Sequence, residues 1–239
     1  MANRVVKLTL INDLICPNCW IQLHELLSAM TYCKDTLQLP LSFEVQHMPF
    51  KFISSACLSD DGPKVERIDF FERRMGKDKF LTMESAISKW ADERGIPITF
   101  RGVMSTSTRG HRLSQKAFQL GGEKLQTPLL CAVFKAHLEE GKDIGDIDVL
   151  SDIAASVGMM TKDEAVAFLK SNELEKEVND LSDKLRSQGV KGVPVTVIDG
   201  KWAVNGSQAS EVFIQIFKKL AAAGVHAAPS PLPAMELCA

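Results

Sequence analysis

The pattern of hydrophobic and polar positions divides the chain into a sheet-like beginning, a long helical middle and a sheet-like end. The run Val5-Val6-Lys7-Leu8-Thr9-Leu10-Ile11 is nearly continuously apolar and predicts a buried strand. Leu23, Leu26, Leu27 and Met30 then recur at helical spacing, which gives one apolar face to lay on a sheet. Leu41 to Met48 alternates with period two and stops at Pro49, as a second strand would. Strand, helix, strand over this length is a βαβ unit with parallel strands.

From about Ser54 to Ser187 the period is helical. Helices are predicted over Val65 to Met75, Lys77 to Arg94, Thr108 to Leu120, Leu125 to Glu140 and Ile147 to Val157, each stopped by glycine. An extended piece, Ile96 to Phe100, interrupts them. Thr161-Lys162-Asp163-Glu164 forms a capping box for the run through Leu169. A charged helix from Asn172 to Ser187, with Leu174, Val178, Leu181 and Leu185 as its seam, closes the series at Gly189. At roughly 130 residues, this stretch is long enough to carry its own core.

Sheet character returns with Val193 to Ile198, the turn Asp199-Gly200 and Lys201 to Asn205. Asp-Gly between apolar runs is a hairpin signal, because both positions tolerate positive φ. A last helix, Gln208 to Ala222, sets Val212, Phe213, Ile216, Phe217 and Leu220 on one face. The fold class is α/β. The expected division is a discontinuous sheet domain, 1–53 and 188–223, around a helical insertion, 54–187, with a mobile tail at 224–239.

Composition narrows the function. The 239 residues are 45% hydrophobic and 24% charged, ordinary for a globular protein, and the net charge of −2 with a pI near 6.2 gives no basic excess. Nucleic acid and anionic membrane are therefore not expected as partners. The first strand starts almost at once, with no signal-peptide h-region ahead of it, and nothing approaches transmembrane length. A cytoplasmic, reducing compartment is expected. Six cysteines there point to a reactive pair with bystanders. Cys33, Cys57 and Cys131 are expected in or near helices, and Cys238 is expected free in the tail.

The pair is Cys16-Pro17-Asn18-Cys19, between the first strand and the first helix. A helix beginning at Pro17 puts Cys16 at its N-terminus, where unpaired N–H groups and the helix dipole stabilise a thiolate. Pro17 suits the first helical position. Cys19 falls one turn on, within reach of a disulfide. A zinc site would need two more ligands, and the chain has no second CxxC and no HxxxH, so no metal is expected. Two cysteines packed simply as small apolar residues are the other bland reading, and the strand-to-helix position speaks against it. Trp20, next to the dithiol, is a candidate wall of the site or a core residue. His24, five positions past Cys19, is assigned no catalytic part.

This order resembles a thioredoxin fold with a large all-helical insertion, and in particular the DsbA-like family that includes 2-hydroxychromene-2-carboxylate isomerases and kappa-class glutathione transferases. The closest resemblance is to the FrnE-type oxidoreductase branch. It is carried by Asp13-Leu14-Ile15-Cys16-Pro17-Asn18-Cys19-Trp20, by Gly110-His111-Arg112-Leu113, by Gly189-Val190-Lys191-Gly192-Val193-Pro194, and by Ile198-Asp199-Gly200 with Ala203-Val204-Asn205-Gly206-Ser207-Gln208. The resemblance implies that Cys16 attacks and Cys19 resolves. It also implies that Pro194 is a cis-proline facing the dithiol, and that the Val193 backbone receives a peptide or glutathione as an added strand. His111 and Arg112 would line the site or pack helices. The chain departs from the branch at Asn18, where an aromatic residue is usual, at Thr106-Ser107, where Asn-Thr is common, and at Gly110, which replaces an alanine. Isomerase and transferase relatives generally carry serine at the first cysteine, so two cysteines favour redox chemistry.

Three functions are compatible with these residues. The first is a thiol–disulfide oxidoreductase acting on thiol or disulfide partners. The second is a glutathione-dependent isomerase or transferase for a small aromatic or polyketide-like molecule, held in a pocket of Trp20, Phe50 and Phe52. The third is a redox-sensing binding module. No bound cofactor is expected, glutathione would serve as co-substrate, and either a monomer or a homodimer fits.

Overall fold

The computed structural model describes residues 3–53, 58 and 62–223. Cys57, Cys238 and the tail beyond Ala223 lie outside them. The main sheet has four strands, β1 (Arg4–Asn12), β2 (Leu41–Pro49), β5 (Val195–Ile198) and β6 (Trp202–Asn205), in the order β2-β1-β5-β6. β1 runs parallel to β2 and antiparallel to β5, and β5 and β6 form an antiparallel hairpin. Asp199 and Gly200 both take positive φ, and the Lys201 N–H donates to the Ile198 carbonyl at 3.0 Å, as the Asp-Gly signal required.

α1 (Pro17–Thr31) joins the two parallel strands and buries Leu23, Leu26 and Ala29, each apolar side chain of that size contributing about 1.5–3 kcal/mol on leaving water. It packs against α9 (Ser210–Ala223), whose Phe213 and Phe217 are buried, with Phe217 4.7 Å from the Phe43 ring of β2. Val212, expected on that face, is exposed: it falls one position before Phe213 and points away from the packed stripe.

The helical middle contains α2 (Arg67–Met75), α3 (Lys77–Asp92), α4 (Thr108–Gly121), α5 (Glu123–Phe134), α6 (Ile147–Ser156), α7 (Lys162–Lys170) and α8 (Glu175–Ser187). Gly95 and Gly158, predicted as stops, take positive φ, and the Thr161–Glu164 capping box is complete. Three boundaries differ from the pattern. Val65 and Glu66 form a short strand, β3, paired with β4 (Val103–Met104), so α2 begins only at Arg67, whose N–H is held by the Gly102 carbonyl at 2.8 Å. The piece Ile96 to Phe100 is not a strand, because its backbone groups go elsewhere: Thr99 N–H to the Leu138 carbonyl at 2.6 Å, and the Thr99 carbonyl to Arg67. Leu174 takes a left-handed conformation and α8 starts after it.

A single apolar cluster runs from the sheet through Trp20, Phe80, Leu113 and Phe134 into the helices. The outer edge of β2 is not left open. His47 N–H donates to Gln126 Oε1 at 2.9 Å, its carbonyl accepts from Gln126 Nε2 and Gln115 Nε2, and the Val45 N–H donates to Glu123. α4 and α5 thus finish the hydrogen bonding of an edge strand with side chains, which blocks edge-to-edge pairing.

Both α1 and α5 end in a π-turn, Tyr32–Thr36 and Lys135–Glu139. In the second, the carbonyls of Ala136, His137 and Leu138 turn to outside partners: Lys142 N–H, Arg67 Nη2 and Thr99 N–H.

Candidate active site

Cys16 is the N-cap of α1, in extended conformation, with Pro17 at the first helical position. Its N–H donates to the Asp13 carbonyl at 3.0 Å and its carbonyl accepts from Cys19 N–H at 3.0 Å, which forms the tight turn that opens the helix. The two cysteines come within 3.5 Å of each other and are unbridged. Cys16 is partly exposed, while Cys19 is 3% exposed. Burial pushes the Cys19 thiol well up, reinforced by its hydrogen bond with Cys16 and the charge of Asp13. The outer sulfur is therefore accessible and the inner one holds its proton.

Facing the dithiol is the Val193–Pro194 peptide bond, which is cis. The Cys16 thiol lies 3.9 Å from the Val193 carbonyl oxygen. The loop is held by the segment after β6. Gly206 N–H donates to the Pro194 carbonyl at 2.9 Å, Ser207 Oγ to the Asn18 carbonyl at 2.8 Å, and Gln208 N–H to Gln22 Oε1 at 2.7 Å. The block Ala203 to Gln208 thus ties the cis-proline loop to the first turn of α1.

Behind the dithiol sits a buried polar group. Asp13 is 0% exposed, and its Oδ2 accepts from Phe52 N–H at 2.6 Å while Oδ1 accepts from Ile15 N–H at 3.4 Å. His111, 1% exposed on α4, places Nε2 3.4 Å from Asp13 Oδ1. α4 approaches this loop closely: a β-carbon on Gly110 would stand 2.5 Å from Leu14 Cδ1. Arg112 points the other way and binds the last carbonyls of α7, with Nη2 on Phe168 at 3.0 Å and Ser171 at 2.6 Å, and Nε on Glu173 at 2.7 Å. Its visible work is helix capping.

Against Cys16 opens an apolar cavity of about 180 Å³. Ile15, Cys16, Pro17, Asn18 and Val193 form one wall, and Phe71, Met75, Met83, Ile87, Phe100 and Leu138 the opposite one. Of the three aromatic residues expected to line a pocket, Phe52 does so. Trp20 is in the core, stacked 5.4 Å from Phe134 with its indole N–H on Glu139 Oε1 at 3.0 Å, and Phe50 packs with Leu185 and Val195. The structure therefore brings Cys16, Cys19, Pro17, Asn18, Val193 and Pro194 together, puts His111 behind them through Asp13, and leaves Trp20 beyond the cavity. The sequence reading missed Asp13 as a buried carboxylate and Arg67, which lines the cavity. Arg67, 2% exposed, carried no signal beyond its place before an amphipathic helix.

Among the described residues no group of three or more histidine, cysteine or acidic side chains is placed to hold a metal, and no helix is long and apolar enough to cross a membrane.

A family model described as a DSBA-like thioredoxin domain matches residues 8–218. The chain belongs to that family. The DSBA-like assignment spans both sheet segments and everything between them, so the helices are part of the family unit. No curated protein matches the sequence. Solved structures match the fold: a probable DsbA oxidoreductase from Streptomyces coelicolor is 21% identical, with 98% of this chain and 96% of that one covered and a TM-score of 0.76. A 2-hydroxychromene-2-carboxylate isomerase is 16% identical, with 92% and 98% covered and a TM-score of 0.62. The cytosolic disulfide reductase DsbM from Pseudomonas aeruginosa, solved with glutathione, is 15% identical, with 92% and 98% covered and a TM-score of 0.55. These DSBA-like neighbours include both redox enzymes and an isomerase.

Proposed function

We propose that this DSBA-like protein is a thiol–disulfide oxidoreductase working in a reducing compartment such as the cytoplasm. One observation carries the reading: two unbridged thiols 3.5 Å apart, one open at a helix N-terminus and one buried, face a cis-proline loop. The Cys16 thiolate attacks one sulfur of a disulfide, forms a mixed disulfide and releases the other half as a thiolate. Cys19 then loses its proton and attacks the Cys16 sulfur, which releases the second thiolate and leaves Cys16 and Cys19 bridged. Two electrons have passed from the protein to the substrate, and glutathione or another thiol returns them. The Val193 backbone beside Cys16 is placed to pair with an extended substrate.

A second reading is favoured by the apolar cavity, which suits a small molecule: a glutathione-dependent isomerase or transferase that uses Cys16 alone. The two separate by titrating the Cys16–Cys19 pair in a glutathione redox buffer, read by Trp20 fluorescence, with Cys19→Ser as control. A single two-electron transition that the control lacks supports the oxidoreductase. No stable disulfide at any poise, with the control indistinguishable from the parent, overturns it.

A further inference from the structure

The wall of the cavity opposite the dithiol holds a buried cation. Arg67 is 2% exposed at the start of α2. Its Nη1 donates to the Thr99 carbonyl at 3.1 Å, and its Nη2 to the His137 carbonyl at 2.9 Å and toward His137 Nδ1 at 3.4 Å. The π-turn that ends α5 frees the His137 carbonyl for this purpose. Three neutral acceptors hold the guanidinium, and its Nε–H is buried with no partner among the described residues.

No carboxylate offsets the charge. Glu66 and Asp143 are near enough to influence Arg67, but neither forms an ion pair with it, and Asp143 is taken by Lys64 Nζ at 2.6 Å and Ser105 Oγ at 2.5 Å. His137 stays neutral, its pKa pushed to about 3 by burial and then by Arg67 itself. Burial lowers the guanidinium only to about 10, so it remains charged at neutral pH. A buried, unpaired charge is costly, and pairing it in place recovers part of that cost. The rest of the lining is Phe71, Met75, Met83, Ile87, Phe100 and Leu138, and a cavity of about 150 Å³ is large enough for a benzene-sized guest.

We propose that the cavity binds a molecule with an apolar body of one or two rings and a carboxylate, the carboxylate received by the Arg67 Nε–H and the body lying toward Cys16. This names a ligand class for the site assigned above and rests on Cys16 being the reactive thiol. It does not depend on whether the chemistry there is redox.

The test uses the reduced full chain and the rate of alkylation of Cys16 by iodoacetamide, a neutral reagent, followed by site-resolved mass spectrometry. The probes are 2-naphthoate, 2-naphthalenemethanol and acetate. Naphthoate is expected to protect Cys16 saturably, at a concentration at least tenfold below that needed with the alcohol, and acetate is expected not to protect. Arg67→Met is expected to erase the gap between acid and alcohol while the alcohol still protects. Equal protection by acid and alcohol, equal protection by acetate and naphthoate, or no protection by any probe would each overturn the proposal. If Arg67→Met does not fold, the three probes on the parent protein decide alone. A failed redox titration with intact naphthoate protection would remove the oxidoreductase reading and leave this one standing.

Discussion

His111 Nε2 lies 3.4 Å from Asp13 Oδ1, both side chains sealed from solvent beside the buried thiol of Cys19. The carboxylate acts on Cys19 in two ways with opposite consequences. Its charge raises the Cys19 pKa, and its unprotonated oxygens can take the proton that Cys19 must shed. Asp13→Asn removes both effects. In a Cys16→Ser background, the Cys19 pKa read by thiolate absorbance is expected to fall. With Cys16 preloaded as a mixed disulfide, resolution is expected to slow by roughly 10²-fold, the usual size of a lost general base. Faster resolution would show that Asp13 only repels the thiolate and is not the proton acceptor.

The cysteines should differ sharply in reactivity. Burial pushes Cys131 up to about 11 and also raises Cys33. At pH 8 a thiol at about 11 presents about a hundredfold less thiolate than one at the ordinary value of 9.0. Site-resolved alkylation of the folded, reduced protein is therefore expected to label Cys16 long before Cys19, Cys33 or Cys131. Denaturant is expected to bring the four rates together. Comparable labelling of Cys131 and Cys16 in the folded state would contradict the burial described here.

Acid should destabilise the fold from a mild pH. His47 and His137 are buried and neutral, with pKa values pushed to about 3 from the ordinary 6.5. Between those values the unfolded chain binds protons that the folded protein does not. Stability is full above about pH 6.5 and is lost as pH falls towards 3, at about 1.4 kcal/mol per unit for each histidine. Urea unfolding at pH 5 is expected to show a loss of about 4 kcal/mol relative to pH 7 from the pair. His47→Gln should remove about half of the slope, since the ring accepts from Asn12 Nδ2 at 2.9 Å and lies 3.2 Å from Thr127 Oγ1 in its neutral form. A flat stability between pH 7 and pH 5 would count against both assignments.

Gly110→Ala sets two effects against each other. Alanine in a helix interior gains up to about 1 kcal/mol over glycine. The added β-carbon would stand 2.5 Å from Leu14 Cδ1, and overpacking of that kind costs about 1–3 kcal/mol. A net loss of about 1 kcal/mol in urea unfolding is expected, relieved when Leu14 is shortened to Val in the same chain. Equal losses in the single and double variants would mean that the clash is not with Leu14.

The parts of the molecule that could be read from the sequence are those whose signal is local. The dithiol at the start of α1, the Asp199-Gly200 hairpin and the Thr161 capping box are decided by residues within a few positions of one another. Cys33 and Cys131 do lie in helical segments, as their surroundings suggested. Ile96 to Phe100 looked like a strand because apolar spacing says nothing about who takes the backbone hydrogen bonds, and here Leu138 and Arg67 take them. Arg67 was invisible for a related reason. A cationic residue in a polar stretch is ordinarily solvated, and only a π-turn seventy positions away supplies the carbonyl that lets this one be buried. Trp20 was drawn to the site by its place beside Cys19, but one helical position rotates a side chain by about 100°, enough to point it into the core.

The sheet has a consequence for the order in which the protein is made. β1 emerges first and pairs with β2 on one side, yet its other edge waits for β5, nearly two hundred residues later. Until then a synthesised chain displays an apolar strand with open hydrogen-bonding groups beside two thiols that lack their facing loop. Synthesis at about 5–20 residues per second makes that interval last on the order of ten seconds or more. An incomplete chain of this protein is thus a sticky, thiol-bearing object, and a cell that makes it needs something to shield that edge until the last strands arrive.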